Sequence, residues 1–195
     1  LSFNQRVLQE ALDKRVPVVE RLRFLGIYSN NMDEFFRVRV ANIKRIISIK
    51  KNSVQGYKGT AAQLLEDIRE EVVEQQKQFQ QCYQEILEEL EKNDIYQLTE
   101  NNLTEKQRNE LIHFFQSELK HEIVPIILNP KNPFPKLRDK NIYLAVDMRK
   151  EGVKKSYYAL IQIPSNYPRF YQMHEEGKSY FILVDDIIRL NLDSI

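Results

Sequence analysis

Near residue 93 the spacing of apolar side chains changes from alternating three- and four-residue steps to steps of two, which constrains the fold more than any other feature. Ahead of that point Leu65, Ile68, Val72, Phe79, Cys82 and Ile86 form one helical stripe, with Gln75 as its polar interruption. Glu and Gln fill most of the other positions and supply a solvated back face. Beyond it, Ile142, Leu144, Val146 and Met148 alternate with Tyr143, Ala145 and Asp147, as in a strand covered on one face. The two periods predict an α+β chain: an all-α helical domain over residues 1–92, then an α+β domain with antiparallel strands over 93–195.

Local signals divide each half further. Ser2 and Gln5 have capping-box spacing, and Phe3, Val7, Leu8, Ala11 and Leu12 make one apolar face. Pro17 is placed to open a second helix with a Val18, Leu22, Leu25 stripe, and Gly26 to permit close packing near its end. A third helix is expected from Asn31, carrying Met32, Phe35, Phe36, Val40, Ile43 and Ile47 inward. Residues 48–60, with Lys50, Lys51, Asn52, Ser53, Gly56 and Gly59, read as a polar loop. The long helix over 60–92 suits a bundle or a dimerising coiled coil, with Cys82 as a small apolar residue in its stripe.

In the second half, Ile95–Leu98 is a short apolar run, and Thr104 with Gln107 starts a helix that buries Leu111, Ile112, Phe115, Leu119 and Ile123. A β-type run at Val124–Leu128 precedes a loop bearing Pro130, Pro133 and Pro135. Glu151-Gly152 is a hairpin turn into a strand over Tyr157–Ile163. After a Pro164–Pro168 loop comes a strand over Ser179–Val184, and Asp185 caps a helix with Ile187, Ile188 and Leu192 on one face. A domain that ends on a fresh amphipathic helix is expected to be incomplete. A start without Met, already inside an amphipathic pattern, points to an excised piece.

The 29 basic and 28 acidic residues nearly cancel, so the whole-molecule field gives no case for nucleic acid or an anionic membrane as partner. One cysteine excludes an internal disulfide and fits a reducing compartment. No apolar run reaches the roughly 20 residues of a membrane span, and no signal segment opens the chain.

Phosphate-binding and catalytic constellations are equally scarce. The five glycines are scattered, with no G-x-x-x-x-G-K loop, and no Cys/His spacing suggests zinc. His113 and His121 fall on one helix, and His174 is placed in a turn with Glu175, Glu176 and Gly177, whose acids would repel a phosphate. Asp33-Glu34 and Asp185-Asp186 suit the first turns of helices, where acids complement the macrodipole. No catalytic residue and no metal ligand is assigned.

One segment is more specific. In Phe24-Leu-Gly-Ile-Tyr-Ser-Asn-Asn-Met-Asp-Glu-Phe-Phe-Arg-Val-Arg39, Ser29, Asn30 and Asn31 stand between two apolar helical runs. A side-chain amide donates and accepts in one plane, which suits the edge of a purine. Asn is also a preferred N-cap. The residues alone leave both uses open. Ile27, Tyr28 and Met32 can offer a base apolar contact or belong to the core. Arg39, placed inward, can pair with Asp33 or Glu34 or reach a phosphate, and Arg37 lies beside it.

This segment resembles the N-terminal motif of polyphosphate kinases, bacterial enzymes that move the terminal phosphate of ATP onto polyphosphate. Leu1–Ala11, Pro125–Pro130, Tyr143–Val146, Ile163–Ser165 with Pro168–Phe170, and Leu183–Ile188 follow in the family's order across essentially the whole chain. The resemblance implies reversible transfer through a phosphohistidine that lies downstream of this chain, with Mg²⁺ and phosphate residues also in the C-terminal part. It implies that Asn31 contributes to the ATP site, that ATP and polyphosphate are the substrates, and that the full-length enzyme is a homo-oligomer. It also implies a cytoplasmic protein, with a peripheral place on the inner membrane face as the alternative. Two other accounts compete: a ligand-free helical interaction module built on the Leu65–Leu90 seam, and a nucleic-acid domain using Lys44, Arg45, Lys50, Lys51 and Lys58 around Tyr57.

Overall fold

The computed structural model describes residues 1–49, 54, 56–149, 152 and 156–195. It comprises two compact units, Leu1–Asn93 and Asp94–Ile195. The expected loop residues Lys50, Lys51, Asn52 and Ser53, and the turn residue Glu151, lie outside the described residues.

The first unit is helical: α1 (Ser2–Leu12), α2 (Val18–Phe35), a π-turn (Phe36–Val40), α3 (Ala41–Ser48) and α4 (Ala61–Glu91). α1 buries Asn4, Val7, Leu8 and Ala11, the i, i+3, i+4, i+7 positions of one face. Phe3, expected on that face, is 69% exposed. The expected capping box at Ser2 is not formed. Ser2 is already helical, and Leu1 is the N-cap without a side-chain bond. Pro17 sits one position before the helix it opens, as N-cap of α2.

The expected break at Ser29–Asn31 does not exist: α2 runs through it to Phe35 and passes via the π-turn into α3. Asn is a poor helix former by only a few tenths of a kcal/mol, so packing of a long apolar face overrides two of them in sequence. That face is Arg21, Leu25, Tyr28 and Met32, in place of the Val18, Leu22, Leu25 stripe, and Leu22 is exposed. A Cβ at Gly26 would meet nothing within 4 Å, so no close packing requires that glycine.

α4 opens with a complete Thr60–Gln63 capping box and turns Ile68, Val72, Gln75, Cys82, Ile86 and Leu90 inward. Gln75 is tolerated in the stripe because its amide is occupied. It accepts from the Tyr28 hydroxyl at 3.2 Å and donates to Glu71 at 2.7 Å. Burial, with Glu71 nearby, pushes the Tyr28 phenol up from its ordinary pKa and keeps it a donor. Asn93 and Asp94 end the helix. The Asn93 amide donates to the Glu89 carbonyl, and Asp94 takes a positive φ of 57°, which Asp tolerates better than most residues.

In the second unit β1 (Ile95–Leu98) is followed by α5 (Glu105–Phe114), a second π-turn (Phe115–Leu119), β2 (Ile126–Leu128), β3 (Tyr143–Arg149), β4 (Ser156–Gln162), β5 (Phe170–Glu175), β6 (Lys178–Leu183) and α6 (Val184–Leu190). The strands form two three-stranded sheets, ordered β1-β6-β5 and β2-β4-β3. All pairs are antiparallel except β1 with β6, which joins Ile95–Leu98 to Ser179–Ile182 in parallel. The core gathers Leu98, Leu111, Phe115, Leu119, Ile161, Met173, Ile182, Ile187 and Ile188. Leu111, Phe115 and Leu119, four residues apart on one helical face, are all buried, the last two within the π-turn. Ile112, expected inside, is exposed.

Strand β5 is an element the sequence pattern did not declare. Glu176 and Gly177, with φ of 51° and 80°, form the two-residue turn that pairs it with β6, so His174 lies on β5 opposite Ser179 and not in the turn. Asp185 is not a cap either. The N-cap of α6 is Leu183, and Asp185 in the first turn accepts from Arg169 at 3.0 Å.

In the helical unit Arg21 is 1% exposed. Its Nε donates to the Ala11 carbonyl at 2.7 Å and its Nη1 to Glu89 at 2.8 Å, joining α2 to the end of α1 and to α4. Replacement by Ala leaves a cavity and weakens the satisfaction of the Ala11 carbonyl, so Arg21→Ala is expected to cost about 2–4 kcal/mol. Urea unfolding of the chain checks this. A loss under about 0.5 kcal/mol, the range of neutral surface changes, would mean the guanidinium is not a tie.

Candidate functional site

Asn31 faces a groove of about 380 Å³ where the start of α1 lies along the α2–π-turn junction. Leu1, Phe3 and Asn4 line one side, and Asn31, Glu34, Phe35, Val38 and Arg39 the other. The size lies toward the lower end for ligand sites, large enough for a flat ring but not for one that also encloses a long polar tail. Asn31 is half-buried, and its side chain makes no hydrogen bond to protein among the described residues. It lies in the middle of α2, so its side chain caps nothing, and that use of Asn31 is excluded.

The π-turn sets what else reaches the groove. Along α2 the buried positions are 21, 25, 28 and 32, which projects 35, 36 and 39 inward on a continued α-helix. One extra residue in the turn shifts this phase. Val40 is 4% and Ile43 7% exposed, Phe36 is 43% exposed, and Arg39 stands outside. Arg39 was expected inward with Asp33 or Glu34. Instead Arg37 takes both, bonding Asp33 and lying 3.7 Å from Glu34. Arg39 has no ion-pair partner among the described residues.

Asn4 and Phe3 are lining residues that the periodicity of α1 concealed. Asn4 is buried, with its amide 3.2 Å from the Met32 sulfur, and so fixes the groove floor against α2. Leu1–Ala11 and Phe24–Arg39 were both singled out, and these two segments are the ones that meet here.

The opposite side of α2 carries a second hollow, lined by Tyr28, Ser29, Met32, Asp33, Phe36, Gln76 and Phe79. Tyr28 and Met32 are buried there, with Tyr28 packed on Phe79 at a centroid distance of 5.5 Å, so they belong to the core. Ile27, at 46% exposed, faces neither hollow.

His113, His121 and His174 are exposed, and none has a side-chain partner among the described residues. No group of three or more His, Cys, Asp or Glu side chains able to hold a metal occurs among the described residues. Asp33 and Glu34 answer Arg37, Asp185 answers Arg169, and Asp186 answers Arg189, so these acids do not fit a Mg²⁺ site. Cys82 donates to the Ala11 carbonyl at 3.2 Å, and burial pushes its thiol above the ordinary pKa, which suits a packing residue and not a nucleophile. No described helix is long and apolar enough to cross a membrane.

The chain is thus a helical unit joined in sequence to an α+β unit. Residues 1–98 match the polyphosphate kinase N-terminal domain, and residues 106–195 match the polyphosphate kinase middle domain. The chain belongs to the polyphosphate kinase family. It is 42% identical over 200 residues to the polyphosphate kinase of Escherichia coli strain K12, covering all of this chain and 28% of that protein. The Yersinia pestis polyphosphate kinase is 42% identical over 201 residues, with the same coverage. The crystal structure of polyphosphate kinase from Porphyromonas gingivalis superposes with a TM-score of 0.87 at 32% identity, covering 99% of this chain and 29% of that one. The chain thus spans under a third of these relatives.

Because Asn31 is a mid-helix residue, Asn31→Ala is expected to leave the thermal midpoint of the chain unchanged or slightly raised, Ala being the better helix former by about 0.5 kcal/mol. A lost cap would instead lower stability by about 1 kcal/mol. Thermal unfolding by circular dichroism separates the two.

Proposed function

We propose that this chain is the N-terminal part of a polyphosphate kinase that reversibly transfers the terminal phosphate of ATP to polyphosphate through a phosphohistidine. Within it the helical unit supplies the adenine side of the ATP site through Asn31, while the nucleophilic histidine and the Mg²⁺-holding residues lie outside these 195 residues. The full-length enzyme works as a homo-oligomer. The observation that carries this reading is the state of Asn31. A half-buried amide with neither a capping role nor a protein partner opens on a groove beside Phe3 and Phe35. Adenine offers an acceptor and a donor, N7 and N6, at the spacing an Asn amide satisfies in one plane. The aromatic and aliphatic walls supply the apolar contact that a base requires.

The test is Asn31→Asp in the full-length enzyme. The change removes the NH₂ donor and sets a charge against an uncharged base edge. The Michaelis constant for ATP is expected to rise about five- to a hundredfold, the equivalent of about 1–3 kcal/mol, with the thermal midpoint unchanged. An unaltered constant would remove Asn31 from the nucleotide site.

The same division of labour makes the 195-residue chain inactive alone. Incubated with ATP, Mg²⁺ and polyphosphate beside the full-length enzyme, it is expected to take up no acid-labile phosphate. A reactive histidine needs a supporting base and a phosphate cradle, and His113, His121 and His174 have neither among the described residues. Labelling of any of them near the full-length level would overturn this.

A further inference from the structure

Resting on the nucleotide reading of the Asn31 groove, we infer that Asn4 is a second base-reading residue there. Its side-chain oxygen accepts the 6-amino group of adenine and so selects adenine nucleotides over 6-oxopurine nucleotides. Of the four buried positions of α1, Asn4, Val7, Leu8 and Ala11, it is the polar one, and it is 6% exposed. An aliphatic side chain would serve the packing without the cost of enclosing an amide whose oxygen is unmet.

The direction of that amide is set by its one partner. Asn4 Nδ2 donates to the Met32 sulfur at 3.2 Å. A thioether sulfur offers lone pairs and no proton, so only the NH₂ end of the amide can face it. Met32 lines the hollow on the other side of α2, whereas Asn4 lines the Asn31 groove. Oδ1 is therefore left on the groove side, and it accepts no hydrogen bond among the described residues. Among those residues the polar side-chain atoms sealed from solvent without a partner are Arg21 Nη2 and Arg169 Nη1, so Asn4 Oδ1 keeps an opening.

Two amides thus share one groove, and they differ in freedom. Asn31 is half-buried and unpartnered, so it can turn either end of its amide to a ligand. Asn4 is enclosed and tied by the sulfur to the turn of α2 that carries Asn31, and presents an acceptor alone. Adenine N6 bears two hydrogens. An amide set against N6 and N7 takes one of them. The other, on the N1 side, is free for Asn4 Oδ1. A 6-oxopurine places an oxygen at that position, and two acceptors then oppose each other. Asn31 can turn to relieve its share of the conflict, and Asn4 cannot. A buried polar group left unpaired by the wrong substrate is the condition under which a site discriminates strongly.

The experiment measures dissociation constants of ATP and of inosine triphosphate by calorimetry on the full-length enzyme and on Asn4→Leu, Met32→Leu and Asn31→Asp, with thermal midpoints as the check on folding. Inosine triphosphate changes position 6 without adding the 2-amino group of guanine. The unaltered enzyme is expected to bind ATP about ten- to a hundredfold more tightly than inosine triphosphate. Asn4→Leu keeps the branching of the side chain and removes both polar atoms, and that preference is expected to fall about tenfold, chiefly through weaker ATP binding. Met32→Leu nearly conserves volume and releases the amide to turn, so the preference falls by a smaller factor. A packing role for Asn4 would move both nucleotides together. An unchanged preference in Asn4→Leu, or an unaltered enzyme that binds the two equally, overturns the inference. If Asn4→Leu does not fold, an unchanged preference in Met32→Leu overturns it instead. The nucleotide reading of Asn31 fails separately, by ATP affinity unaltered in Asn31→Asp. A preference lowered in Asn4→Leu beside that result still assigns the 6-amino group to Asn4.

Discussion

The helical unit depends on one buried cation. Arg21 is the largest side chain that is fully enclosed, and it reaches the ends of two other helices at once. Burying a guanidinium is costly unless its donors are met, and here a carbonyl and the partly exposed Glu89 meet Nε and Nη1, with Glu85 3.9 Å from Nη2. The Ala11 carbonyl also accepts from Cys82, so a single peptide oxygen is shared between α2 and α4. This cluster pins the end of α1, and the apolar face of α1 then holds its first turn along α2. Phe3 and Asn4 reach the Asn31 groove only because α1 is fixed at its other end.

The π-turn is the second constraint, and it acts through phase. An apolar stripe that follows 21, 25, 28 and 32 meets a charged residue at 39, and the chain resolves the conflict by widening one turn. Val40 and Ile43 then continue the buried face. The same device recurs at Phe115–Leu119 in the α+β unit, where it carries the buried Phe115 and Leu119. In the first case the gain is an outward arginine. In the second it is a core of three aligned side chains.

These effects mark the limits of what the residues reveal in advance. The α+β class was legible because two periods cannot share one element, and α4 was legible because its stripe and its solvated face are both long. Gln75 looked like a flaw in that stripe until Tyr28, forty-seven residues away, supplied its partner. The helix break at Ser29–Asn31 was misread because local propensity favours caps there, and the packing of Tyr28 on α4 and of Met32 against Asn4 of α1 outweighs it. β5 was legible in principle, since Tyr171 and Met173 alternate with Gln172 and His174, but the short Glu-Gly turn hides the pairing. The Asn31 side chain keeps its hydrogen-bonding capacity unspent among the described residues because it lies within a continuous helix. Its companions Phe3 and Asn4 were concealed because the period of a helix does not say where its first turn is left uncovered.

Near-neutral composition also conceals a separation of charge that bears on the groove. Arg37, Arg39, Lys44, Arg45 and Lys58 fall in a stretch without a single carboxylate, while α4 opposite them is rich in Glu. The net charge of +1 is therefore a cancellation between elements and not a uniform mixture. Charges on separate elements are screened by salt over about 8–10 Å, so each groove responds to its nearest residues more than to the total. At the Asn31 groove those are Glu34, already drawn to Arg37, and Arg39, which is not drawn to anything described. Helices fixed by the Arg21 cluster hold those side chains, and the local field they make, in place along the groove.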